Sequence, residues 1–284
     1  MSNYSIEDLK PETSLCLLEL EGSIAHITLT REDVFNALNI QLISEIISIL
    51  DWTKDRSAGE RGSLSDNSGA SFLRVLVFSG AGKHFCAGAD INMMRDAGAK
   101  SPEENRADSE RLDRLFNSLW SHPCFTIGKV QGVAYGGGAG LIACLDHVIV
   151  TENSRIALSE GNLGILPAVI GPYVYRKVGS AEFRRLSMLA GRPFAVSAND
   201  AHRIGLANQI GGDASDVIAA VLTTGPMAVT EAKKLTMTFD RWTGTDEELR
   251  TWTLDKTSEM RGSEEGQEGL ASFLEKRAPN WKDE

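Results

Sequence analysis

Two glycine-bearing loops are the first segments of this sequence whose composition could support chemistry. They cover residues 80–90 and 132–140, and each follows a short apolar run that predicts a β-strand. Glycine lets a backbone approach a ligand closely, and glycines at the start of a helix leave N–H groups free to hold a negatively charged oxygen. Two interpretations stay open from these loops alone: an oxyanion-binding site, or close packing of a helix against a strand.

Neither loop fits a known phosphate-binding pattern. The pair Gly82-Lys83 lacks the upstream glycine and the following Ser or Thr of a P-loop, because Val77 and His84 stand at those positions. Residues 136–141 depart from the dinucleotide-binding pattern at its last position, and no acidic residue closes a strand about 20 residues later. Nucleotide binding through either loop is therefore disfavoured.

A serine nucleophile is also disfavoured. Residues 157–161 read Ala-Leu-Ser-Glu-Gly, which differs from the nucleophile-elbow pattern at its first glycine. That chemistry needs an acid and then a histidine further along the chain, and His202 is the only histidine after Ser159. It lies two residues after Asp200 in a segment that predicts a polar helix, which is an implausible geometry for a triad.

Three linked motifs resemble the signatures of the crotonase (enoyl-CoA hydratase/isomerase) superfamily. They are residues 79–91, 130–138 and 157–167, and the similarity continues to residues 275–279. The resemblance implies an α/β fold, a spiral of ββα units followed by a helical C-terminal region that builds homotrimers or homohexamers. It also implies that the ligand is the CoA thioester of the substrate, with no separate cofactor.

The resemblance carries site roles to particular positions of this sequence. Ala89 and Gly137 would supply two N–H groups to the thioester oxygen, and Glu160 would handle protons. The positions implied to contact the substrate or its CoA moiety are Ala87, Ala89, Asp90, Ile91, Gly137, Asp33 and Val34.

Two segments depart from the usual pattern of this superfamily. A typical two-glutamate hydratase has a glutamate where this chain has Gly140, and residues 167–172 replace a glycine-rich run. Together with the Ala-Asp-Ile-Asn-Met-Met sequence at residues 89–94, these departures resemble the bacterial methylglutaconyl-CoA and isohexenylglutaconyl-CoA hydratases. The acyl group is therefore expected to be of the methylglutaconyl type.

Our hypothesis is that Glu160 adds water across the C2–C3 double bond of an enoyl-CoA. A single glutamate also fits a Δ3,Δ2-enoyl-CoA isomerase, which moves one proton and uses no water. A polyketide-type dehydratase or decarboxylase stays open, and so does a catalytically weak relative that binds CoA or RNA.

Composition and charge disfavour several classes of partner and location. The formal net charge of −10 over 284 residues argues against a nucleic-acid partner. The spacing of the four cysteines predicts neither disulfides nor a metal site, and the chain shows no apolar run long enough to span a membrane. The acidic N-terminus does not resemble a targeting signal, so a cytoplasmic protein is expected.

The elements that position these loops follow from hydrophobic periodicity. Residues 15–20 and 24–30 predict a hairpin, 36–50 and 102–120 predict helices, and 73–78, 125–130 and 147–150 predict strands. Six helices are predicted after Tyr173. We expect a core over 1–210, a surface insertion at 53–71 and a helical region over 211–284.

Overall fold

Strands and helices alternate in the first two-thirds of the chain. The computed structural model describes residues 10–190 and 192–282. The strands are β1 (Cys16–Glu21), β2 (Ile24–Leu29), β3 (Val75–Gly80), β4 (Phe125–Val130), β5 (Val133–Tyr135), β6 (His147–Val150), β7 (Arg155–Ala157), β8 (Val196–Ser197) and β9 (Gln209–Ile210). The helices are α1 (Ile40–Lys54), α2 (Ala58–Arg61), α3 (Ile91–Gly98), α4 (Pro102–Trp120), α5 (Gly137–Cys144), α6 (Gly171–Met188), α7 (Ala198–Arg203), α8 (Ser215–Leu222), α9 (Pro226–Arg241), α10 (Asp246–Gly262) and α11 (Glu264–Glu275).

Two sheets form the core of the fold. The larger sheet has the order β1-β2-β3-β4-β6-β9, in which β1 and β2 form an antiparallel hairpin and all other neighbours are parallel. The smaller sheet has the order β5-β7-β8. Consecutive strands β4 and β5 lie in different sheets, as do β6 and β7, and each pair is followed by a helix. This alternation is the expected spiral of ββα units.

Isolated bridges extend the smaller sheet toward the earlier units. Cys86 bridges Ala134 of β5, and Leu38 bridges Ala89, both in parallel orientation. The loop after β3 therefore lies between the segment before α1 and β5. This arrangement brings residues 86–89 next to the second glycine loop.

Local sequence explains where the helices begin. Ser101 caps α4 and forms a capping box with Glu104, while Pro102 occupies the first helical position. Asn39 caps α1 by accepting a hydrogen bond from Leu42 N, so this helix begins at Ile40 and not at residue 36 as its periodicity predicts.

The C-terminal region is helical, as predicted, and is joined to the large sheet by buried polar contacts. The guanidinium of Arg74 donates to the carbonyls of Val221, Thr224 and Trp281. Lys233 Nζ of α9 lies 2.5 Å from Asp146 Oδ2. These contacts fix α8 and α9 against the sheet.

The predicted insertion at 53–71 differs from the structure at its first residues. Thr53 is the last buried residue of α1, and Ser57 and Ala58 are also buried. Ala58 N donates to Leu73 O, so this part returns to the sheet. Sequence composition missed this because small polar side chains can be buried once their hydrogen bonds are satisfied; Thr53 Oγ1, for example, bonds Ile49 O at 2.8 Å.

Candidate active site

A cavity of about 400 Å³ lies where the two glycine loops meet the α3–α4 helical pair. Ala89, Gly137 and Glu160 line it together. The rest of its wall comes from α1, α3, α4 and the segment 165–170. Its volume is within the range of about 300–1,000 Å³ found for small-molecule sites.

Leu38 sets the direction of the Ala89 N–H group. Leu38 N donates to Gly88 O at 2.8 Å, and Asp90 N donates to Leu38 O at 2.9 Å. The C=O and N–H of one trans peptide point in opposite directions, so the N–H of Ala89, which shares its peptide with Gly88 O, faces away from Leu38. In the described part of the chain, this N–H donates to no other residue.

Gly137 begins α5 directly beside this group. Its N–H belongs to the first turn of the helix, where backbone donors have no intrahelical partner. A Cβ built on Gly137 would lie 3.6 Å from Ala89 N, and one built on Gly88 would lie 3.5 Å from Gly137 N. The φ of Gly88 is +102°, which a side chain rarely allows. The two candidate donors therefore share one small region of the cavity wall.

Glu160 lies next to Gly136, the residue of the second glycine loop that precedes α5. It opens a short 3₁₀ helix that ends at Leu163, and its Oε1 would lie 3.2 Å from a Cβ built on Gly136. The Oε2 atom is buried and has no hydrogen-bond partner among the described residues. Burial raises the pKa of this carboxyl above the ordinary glutamate value. A raised pKa and an unpaired oxygen are suited to proton transfer.

Hydrocarbon surrounds Gly140, the position of the absent glutamate. A Cβ at this residue would lie 2.3 Å from Ile170 Cγ2 and 3.0 Å from Phe116 Cε1. Gly140 is buried within α5. The site therefore holds a single carboxylate near the two loops, and a second one cannot enter at this position without rearrangement of Ile170.

The remaining predicted CoA contacts lie beside the Ala89 end of the site and do not line the cavity. Ala87 N donates to Phe35 O, so the turn that holds Asp33 and Val34 packs against the first glycine loop. Val34 and Ile91 are exposed.

Asp90, also predicted to contact CoA, is engaged with other protein groups. It accepts from Asn92 N and Met93 N as the cap of α3 and pairs with Arg31 at 3.2 Å. Its carboxylate therefore positions the helix start next to Ala89.

Sequence reasoning missed the wall that α3 and α4 supply. These lining residues include Met93, Met94, Asn105, Asp108, Ser109, Arg111 and Leu112. A signal was present, because residues 105, 108, 109 and 112 recur at helical spacing on one face of α4. Because most residues on this face of α4 are polar, the sequence pattern predicted a solvent-exposed face and not the wall of a cavity.

Neighbouring thiols and histidines offer no alternative nucleophile. Cys86 is fully buried, and burial raises the pKa of its thiol to about 12. His84 Nδ1 accepts from Val133 N and so joins the two loops. Within residues 10–190 and 192–282, no group of three or more His, Cys, Asp or Glu side chains could hold a metal ion, and no helix is long and apolar enough to cross a membrane.

Comparison with known proteins identifies the family of this chain. The sequence profile of the enoyl-CoA hydratase/isomerase family matches residues 19–284. A putative enoyl-CoA hydratase of Thermus thermophilus is 30% identical over 74% of this chain and 83% of its own length. A crotonyl-CoA hydratase of Syntrophomonas wolfei is 28% identical over 93% of this chain and 96% of its own length.

A crystal structure has the same fold along nearly the whole chain. It is that of an enoyl-CoA hydratase from Shewanella pealeana, which superposes with a TM-score of 0.86 at 34% identity and covers 98% of this chain and 100% of that one. The predicted α/β crotonase spiral is thereby confirmed. This chain belongs to the enoyl-CoA hydratase/isomerase family of the crotonase superfamily.

Proposed function

We propose that this protein is an enoyl-CoA hydratase that adds water across the C2–C3 double bond of an acyl-CoA thioester. The observation that carries the proposal is the position of Glu160, which lines the same cavity as Ala89 and Gly137 and whose Oε2 atom is buried without a hydrogen-bond partner among the described residues. Relatives named as enoyl-CoA hydratases support water addition over other chemistry of the family.

The reaction needs one proton acceptor that later becomes the donor. Glu160 takes a proton from water while the water oxygen bonds to C3. The C2–C3 electron pair moves toward the thioester, whose oxygen becomes an enolate held by the N–H groups of Ala89 and Gly137. The protonated Glu160 then returns its proton to C2, so the elements of one water molecule are added.

Electrostatics favour an enolate oxygen held by the two N–H groups and a proton transferred by Glu160. The N–H of Gly137 carries the positive end of the α5 dipole, which stabilises developing negative charge. A donor of this kind contributes about 3 kcal/mol to transition-state stabilisation. The raised pKa of Glu160 brings it closer to neutral pH, where one group can both accept and return a proton.

A second candidate, a Δ3,Δ2-enoyl-CoA isomerase, is favoured by the surroundings of Gly140. Ile170 and Phe116 leave no space there for a second carboxylate that would orient water. An isomerase needs Glu160 alone: it removes a proton from C2 of a 3-enoyl-CoA, and the same proton is delivered to C4.

The two candidates are separated by an absorbance assay of the conjugated enoyl thioester. Purified protein is offered crotonyl-CoA, 3-methylglutaconyl-CoA and 3-hexenoyl-CoA, with Glu160→Gln as the control. Loss of conjugated absorbance from a 2-enoyl-CoA, abolished in Glu160→Gln, identifies a hydratase. A gain of absorbance from 3-hexenoyl-CoA without any hydration overturns the hydratase and identifies the isomerase.

Self-association as a homotrimer or homohexamer is part of the same proposal. The C-terminal helices expose large apolar side chains, namely Leu254 of α10 and Leu270, Phe273 and Leu274 of α11. Clusters of exposed apolar side chains are typical of subunit interfaces. Sedimentation at equilibrium measures the assembly directly, and a monomer at micromolar concentration would contradict it.

A further inference from the structure

We propose that Asn162 is a positioning residue for Glu160, because its side chain holds the turn that carries this carboxylate against the end of α6. The inference rests on the proposed function in one respect, that Glu160 moves a proton at the thioester. It adds the side chain that fixes where Glu160 lies. Asn162 does not line the cavity, so it acts through Glu160 and not on the substrate.

The segment that carries Glu160 lies at the surface of the protein. Residues 161–166 are all exposed, whereas Glu160 is half-buried. The backbone hydrogen bonds of this segment are local: Ile165 N donates to Glu160 O at 3.2 Å, and Gly164 N also bonds back into the turn. These bonds close the turn on itself without joining it to the rest of the fold. A contact outside the backbone must therefore hold the turn in place.

Asn162 supplies this contact. Its Nδ2 donates to Ala190 O at 2.7 Å, just past the end of α6. Among the described residues, this is the only hydrogen bond that joins residues 159–166 to another part of the chain. Ala190 is buried, and Leu186 in the last turn of α6 packs in the hydrophobic core. The acceptor therefore belongs to a fixed part of the fold.

Close packing accompanies this hydrogen bond. A Cβ built on Gly161 would lie 3.2 Å from Ala190 Cβ and 3.4 Å from Ser187 O. Gly161 follows Glu160 directly, so the turn comes close to the end of α6 at the residue next to the carboxylate. The hydrogen bond of Asn162 and this packing contact hold the turn on the same side.

Glu160 depends on this anchoring because its carboxylate has no partner of its own. Oε2 is buried without a hydrogen bond, and neither carboxylate oxygen accepts from another of the described residues. The carboxylate therefore moves with its backbone. Misplacement of a reacting group by about 1 Å can lower a rate by about 10²-fold. Movement of the turn would also admit water to Oε2 and reverse the desolvation that raises the pKa of Glu160.

The test measures exchange of the C2 protons of butyryl-CoA with deuterium from D₂O by NMR. Glu160 takes a proton from C2, the N–H groups of Ala89 and Gly137 hold the enolate, and Glu160 returns a deuteron after exchange with solvent. Butyryl-CoA has no double bond to hydrate, so exchange reports the proton transfer common to a hydratase and an isomerase. Glu160→Gln is expected to abolish exchange. Asn162→Ala is expected to lower the rate constant at saturation about tenfold, with the affinity for butyryl-CoA unchanged by titration calorimetry.

The acid limb of the exchange rate is a second readout. In Asn162→Ala it should move down toward the ordinary glutamate value of 4.5, because water reaches the carboxylate. Asp108 and Arg111, the other charged side chains that line the cavity, are unchanged in this variant. Asn153→Ala is the matched control, because Asn153 Oδ1 accepts from Thr151 Oγ1 in an exposed turn and does not line the cavity. This control should keep the wild-type rate and acid limb.

The outcomes distinguish failure of the inference from failure of the proposed function. If Glu160→Gln abolishes exchange while Asn162→Ala keeps the wild-type rate and acid limb, the inference alone is overturned. Slower exchange in Asn162→Ala with an unmoved acid limb would show a general loosening of the fold and would also overturn it. Wild-type exchange in Glu160→Gln would overturn the role of Glu160 in proton transfer, and the inference with it.

Discussion

Ile170 occupies the space that a side chain at Gly140 would need. A Cβ built on Gly140 would lie 2.3 Å from Ile170 Cγ2, far inside van der Waals contact. Two departures from the superfamily pattern, the glycine in α5 and the Pro-Ala-Val-Ile run of residues 167–170, are therefore one structural feature. The loss of a glutamate leaves no gap, because the hydrocarbon of Ile170 fills it.

This contact predicts that Gly140→Ala destabilises the protein. Overpacking of a closed core costs about 1–3 kcal/mol, and Ile170 is only 3% exposed. In the double variant Gly140→Ala/Ile170→Ala, the two changes should be less than additive by about 1 kcal/mol, because the added methyl enters the space that Ile170 leaves. Urea unfolding measures both free energies.

Gly262→Ala is the matched control for this substitution. Gly262 ends α10, has an ordinary φ and would meet nothing within 4 Å if it carried a Cβ. Alanine at such a position is neutral or stabilises by about 0.4–1 kcal/mol. A Gly140→Ala variant as stable as Gly262→Ala would show that the core around Ile170 adjusts freely.

The sequence predicted most of the fold because its elements are locally encoded. α4 has both a capping box and a proline at its first position, and the structure gives it the predicted limits Pro102 and Trp120. β4 and β6 also have their predicted limits. α3 was not predicted, since it is short and begins within the first motif, where Asp90 acts as its cap.

The sequence predicted which residues belong to the site, but not the tertiary contacts that bring them together. The first and second motifs contain Ala89 and Gly137, but their proximity depends on Leu38 and on the bridge between Cys86 and Ala134. The absent carboxylate at Gly140 was visible in the sequence, whereas its replacement by Ile170, thirty residues away, requires the tertiary structure. The position of Arg111 in the cavity wall also requires the tertiary structure, because the sequence pattern of α4 alone does not reveal a cavity.

Gly88→Ala is expected to reduce activity through the backbone. Its Cβ would lie 2.7 Å from Tyr135 O, so the two glycine loops must separate and the N–H groups of Ala89 and Gly137 must move apart. Loss of one well-placed oxyanion donor lowers kcat by about 10²–10³-fold. Steady-state hydration of a 2-enoyl-CoA measures this loss.

Gly22→Ala separates the backbone strain of this substitution from its effect on the site. Gly22 also has a positive φ, +56°, but lies in open space in the β1–β2 turn. Alanine in a left-handed conformation costs about 1–2 kcal/mol, so both variants lose stability. Only Gly88→Ala should lose kcat, and equal kcat losses would contradict a role of this loop in holding the donors.

The pH dependence of kcat/KM should show the raised pKa of Glu160. A general base is active when deprotonated, so kcat/KM falls as acid protonates it. Because burial raises this pKa, the acid limb should lie above the ordinary glutamate value of 4.5. The limb should persist in His84→Asn, which removes the histidine that joins the two glycine loops. An acid limb that disappears in His84→Asn would assign the ionisation to that histidine.

His122 should make stability depend on pH below neutrality. Its ring is fully buried, with Nε2 3.0 Å from Thr53 Oγ1 and Nδ1 accepting from Cys124 N. Burial, aided by Lys233, lowers the pKa of His122 from 6.5 to about 3. The folded protein therefore keeps this ring neutral, while the unfolded chain binds a proton below pH 6.5.

The resulting contribution to stability is full above pH 6.5 and is lost as the pH falls from 6.5 toward 3. Each such proton changes the free energy of unfolding by up to about 1.4 kcal/mol per pH unit. Urea unfolding at several pH values between 7.5 and 5 should show this slope in the wild type in excess of His122→Gln, whatever the absolute stability of the variant. Parallel pH profiles of the two proteins would mean that His122 is protonated in the folded state, and the hydrogen bond from Cys124 N to Nδ1 could not then exist.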